Sequence, residues 1–203
     1  MEAIIRARRT LCAVLKRRGY YLPKHVEQET VTNVRNLLNT ATSQLTMSAF
    51  DPSTGTVIPV FFEVCVTDTT AAIGIFIIER YVKMLQRAKL GHAILIIKNK
   101  ITPMAIRMLN HLTIRIEVFK LDMLQVNILE HVLVPHHEKV MRAEYDLVNK
   151  RYGVANLPII FTHDPVVKLL GFIDGDVIKI TRPDYSAGIS IIYRRVVVDD
   201  SDV

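Results

Sequence analysis

Three histidines, His131, His136 and His137, fall close together in the sequence, with a glutamate on each side of the group. Imidazole and carboxylate groups bind zinc, which takes three or four ligands at about 2.0–2.3 Å. Pro135 separates the first histidine from the other two and works against convergence, and no distant Cys or His pair completes the set. The sequence therefore predicts no metal site.

Metal-dependent cleavage of phosphodiesters would need acidic residues that converge with a basic one near a strand end. Glu63 lies in the apolar stretch 61–65, but Cys65 stands where a lysine would be wanted, and only Asp68 is near. The sequence also lacks the phosphate-binding and nucleophile patterns GxxxxGK[ST], GxGxxG and GxSxG. We predict that the chain is not an enzyme and uses no cofactor and no small-molecule substrate.

The elements that would position these side chains follow an α/β pattern in the first 125 residues. Residues 3–18 show apolar positions at helical spacing and end at Gly19. Thr102 and Pro103 are a typical N-cap and first-turn residue of a helix. The other predicted elements are helices over 23–42 and the second half of 71–90, strands over 57–66, 92–98 and 113–119, and a loop over 50–55. Strands and helices in this order imply an α/β sandwich.

The remainder of the chain predicts a small α+β module. Its predicted elements are a helix over 138–151, a short helix from Asp164-Pro165 to Gly171, strands over 176–181 and 189–198, and a turn at 183–188. We therefore expect two domains, 1–125 and 130–203.

Charge points to the class of partner. The 203 residues carry a formal net charge of +6 and the pI is about 9.4, which favours a polyanion, nucleic acid first and an acidic protein surface second. Four cations of the first helix project away from its apolar stripe: Arg6, Arg9, Lys16 and Arg17. This face is either a solvated outer surface or one that turns toward phosphates or an acidic partner.

Cysteine usage and hydropathy bear on the compartment. Cys12 and Cys65 are too few for a disulfide framework, so we expect buried, reduced thiols. The longest apolar run, 71–78, falls far short of the about 20 residues that a membrane span needs. The N-terminus is a poor secretion signal. We predict an intracellular protein without a membrane partner.

Several short motifs in the last third resemble one family, the fifth subunits of DNA-directed RNA polymerases. GDVIKITRP (175–183), SAG (186–188) and IIYRRV (191–196) are similar to the C-terminal signature that the eukaryotic nuclear polymerases share with the short archaeal member of this family. HVLVPHH, KRYGV and DPVVKLLGF precede them in the family's order. The first half resembles the jaw domain of eukaryotic and some viral members through LKRRGYYL (15–22), FFEVC (61–65) and ITPMAIRML (101–109).

The resemblance implies a fold and a role for each half. It implies a nuclease-like α/β jaw without an active site, followed by an α+β assembly domain that docks on the largest polymerase subunit. The jaw would lie beside downstream double-stranded DNA. Carried over to this chain, the DNA-facing residues are Lys98, Lys100, Thr102, Pro103 and Arg107, and the subunit-interface residues are Lys179, Arg182 and Tyr193.

The chain departs from the family pattern where cations are usual. Ile159, Ile173 and Ile189 stand at or beside positions that are commonly basic, so the partner surface should differ in charge. We take this as the mark of a divergent polymerase, that of a large DNA virus, with the protein in the host cytoplasm or the virion; a cellular eukaryotic member would be nuclear. The alternative function is a free-standing basic nucleic-acid-binding protein with a nuclease-like fold.

Overall fold

The structure, a computed structural model, describes residues 2–27, 34, 46–64, 72–184 and 188–198. Several sequence predictions lie outside these residues: most of the helix over 23–42, the residues Cys65 and Asp68, and the centre of the turn at 183–188. The chain divides into two compact units, Met1–Val126 and Asn127–Val203. Each unit has a sheet of its own.

The described elements of the first unit are α1 (Glu2–Arg17), α2 (Lys24–Glu27), β1 (Met47–Asp51), β2 (Thr56–Glu63), α3 (Ile75–Arg87), β3 (His92–Ile97), α4 (Pro103–His111) and β4 (Arg115–Lys120). The sheet order is β1-β2-β3-β4. Strands β1 and β2 form an antiparallel hairpin, whereas β2, β3 and β4 are parallel to one another. The hairpin strand β1 was not predicted, and the loop predicted over 50–55 is wrong at Phe50 and Asp51, because these residues pair with Val57 and Thr56 of β2.

Helix α1 confirms the predicted amphipathic pattern. Its apolar residues, Leu11 and Leu15 among them, are buried, and the basic residues predicted on the opposite face, Arg6, Arg9, Lys16 and Arg17, are exposed. One cation does not follow the pattern: Arg8 is buried, and its guanidinium lies 5.4 Å from the centroid of the Phe62 ring. Cys12, which was expected to be buried, is half-buried.

The core of the first unit is built around β3. All its residues after His92 are buried, as is usual for a parallel strand covered on both faces. On one face, Leu95 and Ile97 pack with Ile78 of α3 and Ala105 of α4. Helix α1 covers the other face, where its buried arginine meets the aromatic ring on β2. The first unit is therefore a three-layer α/β structure, with α1 on one side of the sheet and α3 and α4 on the other.

The described elements of the second unit are β5 (His136–Lys139), α5 (Arg142–Tyr152), β6 (Ile159–Phe161), α6 (Pro165–Leu170), β7 (Val177–Asp184) and β8 (Gly188–Val197), with short 3-10 turns between them. The sheet order is β5-β7-β8-β6, in which β6 and β8 are parallel and the other pairs antiparallel. Among the described helices of both units, none combines the length and the hydrophobicity needed to span a bilayer.

Successive side chains of β7 and β8 point to opposite faces of the second sheet, and both faces carry buried apolar residues. Val177 packs with Val148 of α5 on one face. Ile178 and Val196 pack with Val167 of α6 on the other. Helix α6 has the local signals that predicted it: the Asp164 carboxylate accepts hydrogen bonds from the Val166 and Val167 amides at 2.9 and 3.2 Å, and Gly171 ends the helix in the left-handed conformation.

One helix prediction in the second unit is wrong at its start. The helix predicted over 138–151 begins only at Arg142, and Glu138 lies in strand β5, opposite Lys179 of β7. The sheet supplies the main-chain partners that a helix would have supplied, so the non-local pairing prevails over local helix propensity. Strand β6 was not predicted either; it is three residues long and pairs with β8.

Candidate nucleic-acid and subunit interfaces

The predicted DNA-facing residues lie where the parallel strands end and helix α4 begins. The Thr102 side chain caps α4, because its hydroxyl oxygen accepts a hydrogen bond from the Ala105 amide at 3.4 Å. The same loop is fixed by its main chain: the Ile73 amide donates to the Lys100 carbonyl at 2.8 Å, and the Thr102 amide donates to the Ile73 carbonyl at 3.0 Å. The segments that lead into α3 and α4 are thus held together at the carboxyl edge of the sheet.

The charged side chains of the segment that follows β3, residues 98–116, are all cations. Lys98, Lys100 and Arg107 are exposed, and within the described part of the chain no carboxylate forms an ion pair with them. Residues 98–116 contain no Asp or Glu. Such cations can contact phosphates without first breaking an internal ion pair.

Sequence reasoning missed two apolar residues at the same edge. Phe76 in the first turn of α3 is 80% exposed, and Met104 in the first turn of α4 is 59% exposed. Phe76 lies in the apolar run 71–78, where no helix was predicted although α3 begins at Ile75, and Met104 lies in the predicted start of α4. Only the position of the two helix starts at the sheet edge shows that these side chains face solvent.

Helix α3 also carries cations, among them Arg80 and Lys83, but these differ from the cations at the sheet edge because they are paired with carboxylates. The Arg80 guanidinium donates to the Glu63 carboxylate at 2.8 Å, and Lys83 lies 3.8 Å from Glu79. This pairing makes α3 the weaker candidate for a phosphate-binding surface.

Glu63, which a nuclease reading would require as a metal ligand, has a structural role. Its carboxylate accepts hydrogen bonds from Arg80 and from the Tyr81 hydroxyl. Burial and this bond to Glu63 raise the pKa of Tyr81. The ring of Tyr81 also packs against Phe61, with 4.9 Å between ring centroids. The carboxylate ties α3 to the end of β2, and that geometry does not leave it free for a metal.

The histidines do not converge. The Leu133 amide donates to Nδ1 of His131 at 3.2 Å within a turn. Nδ1 of His137 lies 2.7 Å from the Pro135 carbonyl oxygen. His136 is exposed on β5. Among the residues that the structure describes, no group of three His, Cys, Asp or Glu side chains is placed to hold a metal ion.

In the second unit, two of the three predicted interface residues come together. Lys179 and Tyr193 are directly opposite each other on β7 and β8. The Tyr193 hydroxyl donates to the Glu144 carboxylate of α5 at 2.8 Å, and the Lys179 ammonium lies 3.2 Å from Glu144 and 3.4 Å from Glu138. We call these four residues the Glu144 cluster.

The Glu144 cluster holds α5 on the sheet. The hydrogen bond from Tyr193 and the nearby Lys179 lower the pKa of Glu144, and bonds to Glu144 and Glu138 raise the pKa of Lys179. The charge of Lys179 is therefore balanced inside the unit. Arg182 points to the other face of the same strand, where it is exposed.

A second cluster, which the sequence did not reveal, lies in the first unit. The Glu117 carboxylate of β4 accepts a hydrogen bond from Arg18 at 2.9 Å, lies 2.8 Å from Nε2 of His92, and forms an ion pair with Arg115 at 3.0 Å. Burial alone would raise its pKa, but the bond with His92 and the charges of Arg18 and Arg115 lower the pKa of Glu117 to about 2. We call these residues the Glu117 cluster.

A strongly shifted pKa is a common mark of a functional site. The Glu117 cluster does not fit that reading, because its carboxylate is only 12% exposed and both oxygens are engaged. It joins the end of α1 to the starts of β3 and β4, and its role is structural.

Comparison with known proteins agrees with these observations. Residues 126–196 match the family model described as "RNA polymerase Rpb5, C-terminal domain". The subunit rpabc1 of DNA-directed RNA polymerases I, II and III from Dictyostelium discoideum is 30% identical over 203 residues, which covers 96% of this chain and 97% of that protein. The chain belongs to the RNA polymerase Rpb5 family.

Other members of the Rpb5 family match shorter spans. The DNA-directed RNA polymerase subunit Rpo5 of Methanocaldococcus jannaschii is 39% identical over 74 residues, 36% of this chain and 95% of that protein. Subunit RPABC1 of Caenorhabditis elegans is 35% identical over 131 residues, 63% of this chain and 62% of its own length. The family resemblance drawn from the sequence motifs is thereby confirmed.

Proposed function

We propose that the chain is a non-catalytic subunit of a multisubunit DNA-dependent RNA polymerase, in which the first unit guides downstream DNA and the second unit docks on the largest subunit. The observation that carries the proposal is the relation to the Rpb5 family over nearly the whole chain. The complex, and not this chain, would perform nucleotidyl transfer. Other polymerase subunits are then its partners.

The DNA side of the proposal rests on the carboxyl edge of the first sheet. Lys98, Lys100 and Arg107 are exposed cations in an acid-free stretch, and Thr102 and Pro103 hold the loop that carries the first two. Contacts of cations with phosphates position a duplex without reading its sequence. The exposed Phe76 and Met104 would lie against the sugar edge of the same duplex.

The first unit would then be a nuclease-like sandwich that has no active site. The engagement of Glu63 with Arg80 and Tyr81 supports this proposal, because an acid that pairs with an arginine is a poor metal ligand. A test is incubation of the pure protein with duplex DNA and magnesium or manganese. We expect no cleavage; cleavage that Glu63→Ala abolishes would overturn the proposal.

The second unit would supply the docking surface. Arg182 is the predicted interface residue whose side chain is exposed, so we assign it to direct contact with the largest subunit. Lys179 and Tyr193 would act by holding α5 in place through Glu144. We therefore expect Arg182→Ala to weaken assembly and Lys179→Ala to alter the local stability of the unit.

The departures from the family pattern at Ile159, Ile173 and Ile189 support a divergent polymerase, which we propose to be that of a large DNA virus. The location of the chain would follow that of its enzyme, the host cytoplasm or the virion for a virus and the nucleus for a cellular polymerase. Fractionation of native cells, with detection of the tagged chain, tests this part.

The deciding experiment is purification of the tagged full chain from its native cells, with mass spectrometry of stoichiometric partners. We expect the two largest polymerase subunits among them. Recovery of nucleic acid alone would favour the alternative, a free-standing nucleic-acid binder. That alternative also predicts strong DNA affinity for the isolated chain, whose logarithm falls linearly with the logarithm of salt concentration.

The DNA surface is tested in the assembled enzyme. We expect the triple variant Lys98→Ala/Lys100→Ala/Arg107→Ala to reduce the slope of log affinity against log salt by about one for each lost phosphate contact. The matched control replaces three exposed cations of other surfaces in the same unit, Arg9, Lys83 and Arg87. An equal effect of both triples would mean that charge, and not this edge, governs binding.

A further inference from the structure

Among the described residues, one side of strand β8 is uncovered over most of its length. Strand β8 pairs with β7 from Gly188, opposite Asp184, to Arg195, opposite Val177. On its other side it pairs with β6 only at Arg195–Val197. Among the described residues, no strand covers that side of β8 from 188 to 194.

Hydrogen bonds at the end of β8 show which main-chain groups face the open side. The Arg195 amide donates to the Pro158 carbonyl, on the β6 side, at 2.9 Å, and the Val196 amide donates to the Asp176 carbonyl, on the β7 side, at 2.8 Å. Main-chain groups alternate between the two sides of a strand. Ile189, Ile191 and Tyr193 therefore present their N–H and C=O groups to the open edge.

The ladder stops at this point because of a proline. Pro158 precedes β6 and has no N–H group to donate to β8. The pairing between β6 and β8 therefore cannot continue from Arg195 back toward Gly188. The part of β8 that remains uncovered is long and has apolar side chains. Ile189 is 65% exposed and Ile191 is 50% exposed, and both lie on the same face of the strand.

An open edge that is long and apolar is an aggregation hazard that native proteins normally blunt or cover. Charged residues or proline on the strand usually serve this purpose, yet the uncovered stretch 188–194 has no proline, and its one charge, Arg194, stands at the end beside β6. The unpaired N–H and C=O groups of such an edge can form hydrogen bonds with the main chain of another extended segment.

We infer that the open edge of β8 receives an extended, acidic and apolar segment of another polymerase subunit, which adds to the second sheet as a further strand. The inference rests on the proposed function and names the mode of docking. Main-chain bonds would pair with Ile189, Ile191 and Tyr193, and apolar side chains of the segment would cover the two isoleucines.

Charge selects this occupant over a second copy of the chain. The guanidinium of Arg194 lies beside β6, at the end of the uncovered stretch, where it donates to the Ile159 carbonyl at 3.0 Å. Strand β8 contains two arginines and no acidic residue. Two copies joined through the uncovered stretch of β8 would bring the Arg194 of each copy to one ladder without a carboxylate, whereas an acidic residue of a different subunit would pair with Arg194.

The edge is tested with the tagged full chain in native cells. Ile191→Pro removes an outward N–H group and no bond to β7, since proline is tolerated on an open edge. For Ile191→Pro we expect recovery of polymerase subunits to fall at least about ten-fold. The added strand loses a main-chain hydrogen bond and can no longer lie close to β8 at this position. Ile191→Val keeps the N–H group and the branched side chain and should stay within about two-fold of the parent.

A second measurement does not depend on how well the proline variant folds. A photo-crosslinking amino acid, p-benzoylphenylalanine, replaces Ile189 in the tagged chain, and the crosslinked peptide is sequenced by mass spectrometry. We expect one segment of another polymerase subunit with alternating apolar residues and an acidic residue. A crosslink to a second copy, to nucleic acid, or to nothing in a preparation that still contains the polymerase would overturn the inference.

These outcomes separate the inference from the proposed function. If the parent chain recovers no polymerase subunits, the proposed function fails, and the inference with it. If the parent and Ile191→Pro recover them equally, and no crosslink forms at position 189, only the inference fails.

Discussion

Glu117 in the first unit and Glu144 in the second each collect donors from distant parts of the chain, yet their surroundings differ. The Glu117 side chain is 12% exposed and its partner Arg18 is 4% exposed. The Glu144 side chain is 35% exposed, and its partner Lys179 is 22% exposed. The two clusters should therefore contribute differently to the free energy of unfolding. Solvent screens the charges of the Glu144 cluster, whereas the Glu117 cluster must balance its charges internally.

The largest effect should come from Glu117→Gln. The substitution keeps the shape of the side chain but removes the charge that offsets a buried arginine, so we expect the free energy of unfolding to fall by about 3–5 kcal/mol. Urea denaturation measures it. Glu79→Gln, in the exposed pair with Lys83, is the matched control and should cost less than about 0.5 kcal/mol. Equal costs would remove the distinction between buried and exposed pairs.

Acid should act on the first cluster in a defined range of pH. The pKa of Glu117 falls from 4.5 to about 2 on folding, so its contribution to stability is present above pH 4.5 and is lost as the pH falls toward 2. The shift corresponds to about 3 kcal/mol. Unfolding free energies of the parent and of Glu117→Gln should converge over this range. If the two curves fall in parallel, Glu117 does not carry the acid sensitivity.

Arg115→Ala should have an intermediate effect. Its side chain is 44% exposed although its partner Glu117 is buried, so solvent replaces part of what the guanidinium supplies. We expect a loss of about 1–2 kcal/mol, in the range of a hydrogen bond to a charged group. Thermal unfolding checks the value, with Lys120→Ala as an exposed cation of the same strand for comparison. A cost as large as that of Glu117→Gln would show that the cluster acts as one indivisible unit.

Among the changes within the two clusters, the smallest effect should come from Glu144→Gln. A carboxylate that is 35% exposed contributes less than about 1 kcal/mol, and salt reduces the contribution further. Urea denaturation at low and at high ionic strength measures both. A loss of several kcal/mol that salt does not change would mean that the Glu144 cluster is as structural as the Glu117 cluster, and that exposure is a poor guide to either.

Features with local causes were predictable from the sequence. Thr102 before Pro103 and Asp164 before Pro165 both cap helices as expected, because a cap depends on residues only two or three positions away. The amphipathic α1 was predictable for the same reason. The helix predicted from Glu138 was not, since its main chain pairs with β7 about forty residues later.

The candidate sites also differ in whether their causes are local in the sequence. The family motifs predicted a DNA-facing loop at Thr102, which stays a prediction, whereas the exposure of Phe76 depends on where two helix starts meet. The Glu117 cluster was missed because its partners come from positions 18, 92 and 115. One signal was available: Glu117 stands between Ile116 and Val118 in a strand, and a charge in such a place needs a partner.

The bridge between Ile73 and the loop at Thr102 is made by main-chain atoms alone. Side-chain substitutions at these positions leave its hydrogen bonds available, with proline as the exception because it has no N–H group. An inserted or deleted residue in either segment would shift the register and release both. The length of these two segments, more than the identity of their residues, is therefore what keeps Lys98, Lys100 and Phe76 on one edge.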